Sequence, residues 1–187
     1  MVPIALDGPA VEPVSVPEMR AYLRLDHEAE DELLAGLVKA GRLLVEAASR
    51  RVLIESRWRV VLDRWPADRV VRLPLSLLLA VERIGVRDAA GIESDLAAAL
   101  FHAETSADPP LIRVMATAPD PGVALGGIAI ELRAGFGAAP PAVPGPLKQA
   151  IRMLVARWFE NRGDIAGVQT LPADIEALVA AYRRARL

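Results

Sequence analysis

Residues Ala134–Arg162 read AGFGAAPPAVPGPLKQAIRMLVARWFENR, and this stretch decides the fold. A strand ends into Gly135 and Gly137, the chain crosses a proline-rich turn, and a helix begins at Pro146. From there Leu147, Ala150, Ile151, Leu154, Val155, Trp158 and Phe159 recur at helical spacing. They form one apolar stripe closed by an aromatic pair. Lys148, Gln149, Arg152 and Arg157 occupy the other face. None of these side chains is a nucleophile or half of an acid–base pair. The two glycines stand between a strand and a helix, as in a phosphate loop. The prolines between them and the missing Gly-Lys-Ser/Thr element exclude that reading.

Working outward toward the C-terminus, Gly163 is expected to end the helix and Asp164–Thr170 to form a loop. A last helix begins at about Pro172, with Leu171, Ile175, Leu178, Val179 and Tyr182 on one side and Arg183, Arg184 and Arg186 at its end. Toward the N-terminus the periodicity changes to two. Ile128, Ile130 and Leu132 alternate with Ala129, Glu131 and Arg133; Trp58, Val60 and Leu62 alternate with Arg57, Arg59 and Asp63. These are half-buried strands. Val70–Leu73, Glu82–Arg87 and Leu111–Met115 are further candidates. Residues 52–135 therefore read as a small antiparallel β module.

Before that module, Ser15-Val-Pro-Glu18 fits a capping box opening a short helix to about Leu25. Asp26 is expected to cap a second helix from His27 to about Ser49, with Glu28, Glu30, Asp31 and Glu32 at its positive end. Gly41 falls within its apolar stripe, where it costs about 1 kcal/mol against alanine. A close helix crossing would explain it. Residues 1–14 are proline-rich, lack periodicity and are expected to be an extended arm. The fold class is α+β: a helical bundle (15–51 and 144–187) carrying a small antiparallel β insertion (52–135).

Composition narrows the function. The 187 residues are 53% apolar and 25% charged, which suits a globular chain. The net charge is −2 and there is no cysteine. Thiol nucleophiles, disulfides and zinc–thiolate sites are thereby excluded. The acidic balance argues against a free nucleic-acid binder. The N-terminus has no secretory pattern and no apolar run can span a bilayer, so no membrane partner is expected and the chain reads as cytoplasmic. His27 stands at a helix start and His102 in a loop, where capping or solvent exposure is expected rather than a metal pair, and the acidic run 28–32 lacks the glycine and ligand spacing of a calcium loop. No cofactor, metal or catalytic set is expected. Arg50, Arg51, Arg57, Arg59, Arg64, Arg69 and Arg72 make a locally basic region. It reads either as a sheet face laced with ion pairs or as a contact for phosphate or an acidic neighbour. Trp65, beside Pro66, is the aromatic expected to be exposed as an anchor.

Three motifs, in order, resemble one family. They are Val14-Ser-Val-Pro-Glu-Met-Arg-Ala-Tyr-Leu-Arg-Leu-Asp26, then the strand at Trp58 leading to Arg72-Leu-Pro74. The last is Ala134-Gly-Phe-Gly137 with Val143-Pro-Gly-Pro-Leu-Lys-Gln-Ala-Ile151 and Trp158-Phe-Glu-Asn-Arg162. The chain resembles the head–tail connector proteins of tailed phages, the gp6-like family, in the subgroup with a β insertion that includes adaptor proteins of gene transfer agents. The resemblance implies a non-enzymatic structural protein of the virion neck, assembled in the host cytoplasm. It implies a homo-oligomeric ring, dodecameric by expectation, under the portal protein. Such a ring extends the channel for double-stranded DNA, which passes without specific binding, and seats a stopper or tail-completion protein. It further implies portal docking by the C-terminal segment, here Ile175, Leu178, Val179, Tyr182, Arg183, Arg184 and Arg186. Arg57, Arg59, Arg64, Trp65 and Arg69 become candidates for the subunit interface or the channel wall. Two other readings remain: a small enzyme with its site in the β insertion, and a DNA-binding accessory protein of a phage operon.

Overall fold

The computed structural model describes residues 1–161 and 171–183. They form four α-helices and two antiparallel sheets, a mixed α/β architecture. The chain divides into two compact units. One comprises Met1–Pro9 and Glu55–Phe136, the other Ala10–Ile54 and Gly137–Leu187.

The first unit holds all eight strands: β1 (Pro3–Ala5), β2 (Ser56–Leu62), β3 (Val70–Arg72), β4 (Leu78–Arg87), β5 (Glu93–Asp95), β6 (Phe101–Glu104), β7 (Leu111–Val114) and β8 (Ile128–Ala134). Their orders are β1-β2-β8-β4-β5 and β3-β7-β6. The period-2 pattern of β8 is met in full. Ile128, Ile130, Leu132 and Ala134 are completely buried, while Ala129, Glu131 and Arg133 are half-buried on the opposite face. β2 lies in register beside it, Val60 opposite Ile130 and Arg59 opposite Glu131.

The β region is larger than the small insertion expected. β1 arises within the supposed arm, and β5 and β6 fall in the stretch 92–110. All three are edge strands. They are three or four residues long, which limits what an open edge offers to another chain, and β5 and β6 are polar or mixed in polarity. The same composition removes the alternation by which a strand is recognised. β4 also starts at Leu78, four residues early, because register shifts at Ala80 and Arg83 break its alternation.

The second unit contains α1 (Val16–Leu23), α2 (Asp31–Ser49), α3 (Gly145–Glu160) and α4 (Ala173–Ala180). The Ser15 capping box is present. The Glu18 N–H donates to Ser15 Oγ at 3.3 Å and the Ser15 N–H to Glu18 Oε2 at 2.7 Å. Asp26 caps nothing. Arg24 adopts the left-handed conformation at φ 58° and stops α1, and α2 starts only at Asp31. Arg20 gathers the intervening acids, Glu28 at 2.9 Å and Asp31 at 3.3 Å.

α3 buries Leu147, Ala150, Ile151, Leu154 and Val155 completely, whereas Trp158 and Phe159 remain half-buried. Its main partner is α2, at the glycine singled out by sequence. A Cβ on Gly41 would stand 3.3 Å from Ile151 Cγ2 and 3.7 Å from Val155 Cγ2. The next residue, Arg42, is 6% exposed. Its Nε donates to Glu12 at 2.7 Å and its guanidinium also donates to Glu46 at 2.8 Å. Glu46 in turn accepts the Leu53 N–H at 2.8 Å. Burial raises the Glu46 carboxyl above its ordinary value, opposed by the Leu53 N–H and by Arg42.

Gly41→Val should lose about 2 kcal/mol in urea unfolding, because Ile151 lies against the position a larger side chain must take. Arg42→Ala should lose about 3 kcal/mol, leaving a buried carboxylate without its cation. A carboxyl with a raised folded-state pKa is stabilised as pH falls through that value. The Arg42→Ala deficit should therefore shrink on acidification, which urea titrations from pH 7 to 5 would reveal.

Candidate interaction surfaces

Cross-strand register builds one continuous charged face. Arg57 and Arg59 on β2 stand opposite Arg133 and Glu131 on β8, and Arg83 on β4 stands opposite Glu131 from the other side. Glu131 is the hub, 2.6 Å from Arg59, 3.6 Å from Arg57 and 4.0 Å from Arg83. Glu82 joins Arg57 at 3.0 Å to Arg133 at 3.1 Å, and Arg133 also pairs with Glu55. At the β5 edge Arg83 contacts Glu93 and Asp95, each at 2.6 Å, and Arg87 contacts Glu93 at 3.1 Å. Five arginines meet five carboxylates, so the face carries no net charge. It resolves the basic region into an ion-pair lattice for Arg57 and Arg59, and it leaves no excess positive charge there for phosphate.

Gly85 makes the lattice possible. A Cβ there would fall 2.6 Å from Glu93 Oε1. Its absence lets the carboxylate lie across β4 and reach both Arg83 and Arg87. The hydrogen bond from Arg83 is the leading cause that holds the Glu93 carboxyl below its ordinary value of 4.5. Sequence reasoning missed Glu131 and Gly85. The signal lay in opposite charges at facing positions, legible only once the register is known.

The remaining candidates separate. Arg64 is exposed and makes no ion pair among the described residues. Trp65 is a correction: it is 5% exposed, and its Nε1–H donates to the Pro119 carbonyl at 2.9 Å. Tryptophan beside proline at a strand end suggests an exposed anchor, but the loop from Pro119 folds over it. Arg69 pairs with Asp120 at 3.0 Å. A cleft of about 350 Å³ is lined by Asp63, Arg64, Trp65, Asp120, Pro121 and Val123. It holds no nucleophile with an adjacent base.

On α4, Ile175 and Val179 are fully buried, Leu178 and Tyr182 half-buried. α4 contacts α2 and α3. Arg183 donates to the Ala48 carbonyl at 3.2 Å and pairs with Glu176 at 3.1 Å. The Tyr182 carbonyl accepts from Arg51 Nε at 3.0 Å. Arg184 and Arg186, like Gly163 and the loop 164–170, lie outside the described residues. Among the described residues no three metal-ligating side chains cluster, and no helix is long and apolar enough to cross a membrane.

No protein-family model and no curated protein matches the chain. Solved structures do. A chain of the neck of an empty gene transfer agent particle, computed with C6 symmetry, is 28% identical with a TM-score of 0.86. A chain of the virion of a native gene transfer agent particle is 28% identical with a TM-score of 0.84. A chain of the neck of the native particle, computed with C12 symmetry, is 26% identical with a TM-score of 0.77. Each alignment covers all of this chain and 97% of the other. The similarity supports a structural neck or virion component of such a particle.

Gly85→Val should displace the Glu93 carboxylate from Arg83 and Arg87. A carboxylate with a depressed folded-state pKa contributes stability above its unfolded value, and this is lost as pH falls through the folded value. The wild type should therefore weaken below about pH 4.5 more steeply than the variant. Paired urea titrations between pH 6 and 3 would measure the difference.

Proposed function

We propose that this chain is a structural head–tail adaptor of a gene transfer agent or tailed phage, a helical bundle with a β insertion of the gp6-like connector type. Copies form a closed ring, dodecameric by expectation, in the particle neck below the portal. The ring extends the DNA channel and seats a stopper or tail-completion protein. The observation that carries this reading is the likeness to gene transfer agent neck chains along the whole length, at 28% identity. The described residues support it by what they are built for. Buried Arg42 is spent on a clamp with Glu12 and Glu46, and the half-exposed arginines of the sheet on an ion-pair lattice.

Mechanism in this reading is geometric. Each subunit supplies one sector, and heterologous contacts close the circle. Duplex DNA needs a wall that does not grip it, since every phosphate neutralised adds affinity and salt dependence. The neutral lattice containing Arg57 and Arg59 suits such a wall or a subunit interface, and Arg64 and Arg69 suit the latter. Portal docking is assigned to the C-terminal segment from Leu171. Ile175 and Val179 anchor α4 within its own unit, so docking falls to Leu178, Tyr182, Arg183 and the following Arg184 and Arg186.

The test combines the purified protein with the portal protein of the same particle. Negative-stain microscopy should show one ring seated on another. Deleting 171–187 should abolish association, and Arg183→Glu, which spares the buried anchors, should weaken it about tenfold, the size of one lost charge-assisted contact. Undiminished portal binding by both variants would refute C-terminal docking. Absence of any ring or portal complex, together with turnover of a substrate, would refute the adaptor reading.

A further inference from the structure

The N-terminal strand β1 joins its sheet in an unusual way. It is the edge strand beside β2, with Pro3 opposite Val60, Ile4 opposite Arg59 and Ala5 opposite Trp58. The Leu6 N–H donates to the Arg57 carbonyl at 2.9 Å, and Asp7 accepts the Arg57 N–H at 2.8 Å. The attachment is therefore made by main chain and one carboxylate. The side chains contribute little, since Val2 is 73% exposed and Ile4 51%. Within β1 Pro3 is half-buried and Ile4 and Ala5 are exposed, so the strand adds no side chain to the core of its own unit. Meanwhile the β2 edge needs an occupant, because open strand edges expose unpaired N–H and C=O groups.

The segment after β1 is equally distinctive. Asp7-Gly-Pro-Ala-Val-Glu-Pro13 is a short stiff tether with prolines at 9 and 13 and a pivot at Gly8, where a Cβ would meet nothing within 4 Å. Its far end is fixed, because Glu12 is held by buried Arg42. The tether is anchored at one end, jointed at the other, and carries a strand whose binding chemistry any copy of the chain can supply.

We propose that in the assembled ring this strand is exchanged: residues 1–7 of one subunit occupy the β2 edge of the next. The inference rests on the ring reading above. Exchange conserves every bond that β1 makes, so its cost is confined to the tether. Ring closure holds a neighbour's edge at high local concentration. The exposed Met1, Val2 and Ile4 are then delivered to a subunit boundary, where apolar side chains gain cover.

The absence of cysteine allows a clean test. Ile4→Cys and Arg59→Cys are prepared as two single variants and as one double variant, each assembled with the portal and oxidised. A mixture of the single variants can form a disulfide only between copies. Linked dimers should rise about tenfold on ring assembly over the unassembled mixture, as confinement raises effective concentration. The double variant should give a ladder of linked subunits on denaturing gels. Rings whose double variant is linked wholly within single chains, with an unlinked mixture, would overturn the exchange and leave the adaptor reading standing. Rings with neither linkage would place β1 on neither copy's β2 edge and would overturn it equally. If no ring forms with the portal at all, the adaptor reading fails and the exchange fails with it.

Discussion

A guanidinium cannot be buried without carboxylates around it, and in this chain that constraint organises the helical unit. Arg42 lies against Glu12 and Glu46, and Glu46 also holds the Leu53 N–H. Glu12 comes just after the first passage of the chain between the two units, and Leu53 precedes the second. One cation on α2 thus fixes both segments to the same helix. Desolvating such a group gains little net stability, and hydrophobic replacements can do as well. What the ion cluster adds is position: a leucine would cover Glu12 without saying where it must lie. Gly41, one residue earlier, performs the complementary task by letting α3 approach. A single turn of α2 therefore sets the helix crossing on one side and the chain's entry and exit on another.

The sequence announces the parts of the fold whose signal is burial. The α3 stripe, the α2 stripe with its glycine, and the alternation of β8 and β2 all report a face hidden from water. Elements that hide no face leave no such mark. β1, β5 and β6 are edge strands with exposed or charged residues. The start of α2 is displaced from its expected place because acids that favour a helix N-terminus also serve Arg20 as partners in a turn. Trp65 is buried against expectation because its cover, the Pro119 loop, is distant in sequence. Candidate surfaces are harder still to read. A run of arginines looks basic until the register sets Glu131 and Glu82 beside Arg59 and Arg57.

That neutralisation bears directly on a neck protein's task. Half-exposed ion pairs contribute little each, often under about 1 kcal/mol. Ten charges interlocked, nine of them on four strands and Glu55 just before β2, are a different object, because Glu131, Glu93, Arg83 and Arg133 each hold two or more partners. A face of this kind is wettable and has no net charge with which to attract a polyanion. It needs neither the sharp complementarity of a binding site nor the low dielectric of an active site.

Closing a ring asks little of each contact, provided that many act together. The exposed apolar side chains are scattered over both units, among them Val2, Ile4, Tyr22, Leu43, Ile92 and Leu125. Singly they are ordinary on any protein surface. A circle engages the same weak surfaces at every junction, and the last subunit closes two junctions for one loss of translational freedom. Ile175 and Val179 hold α4 within its own unit, and Leu178 stays half-buried on its flank.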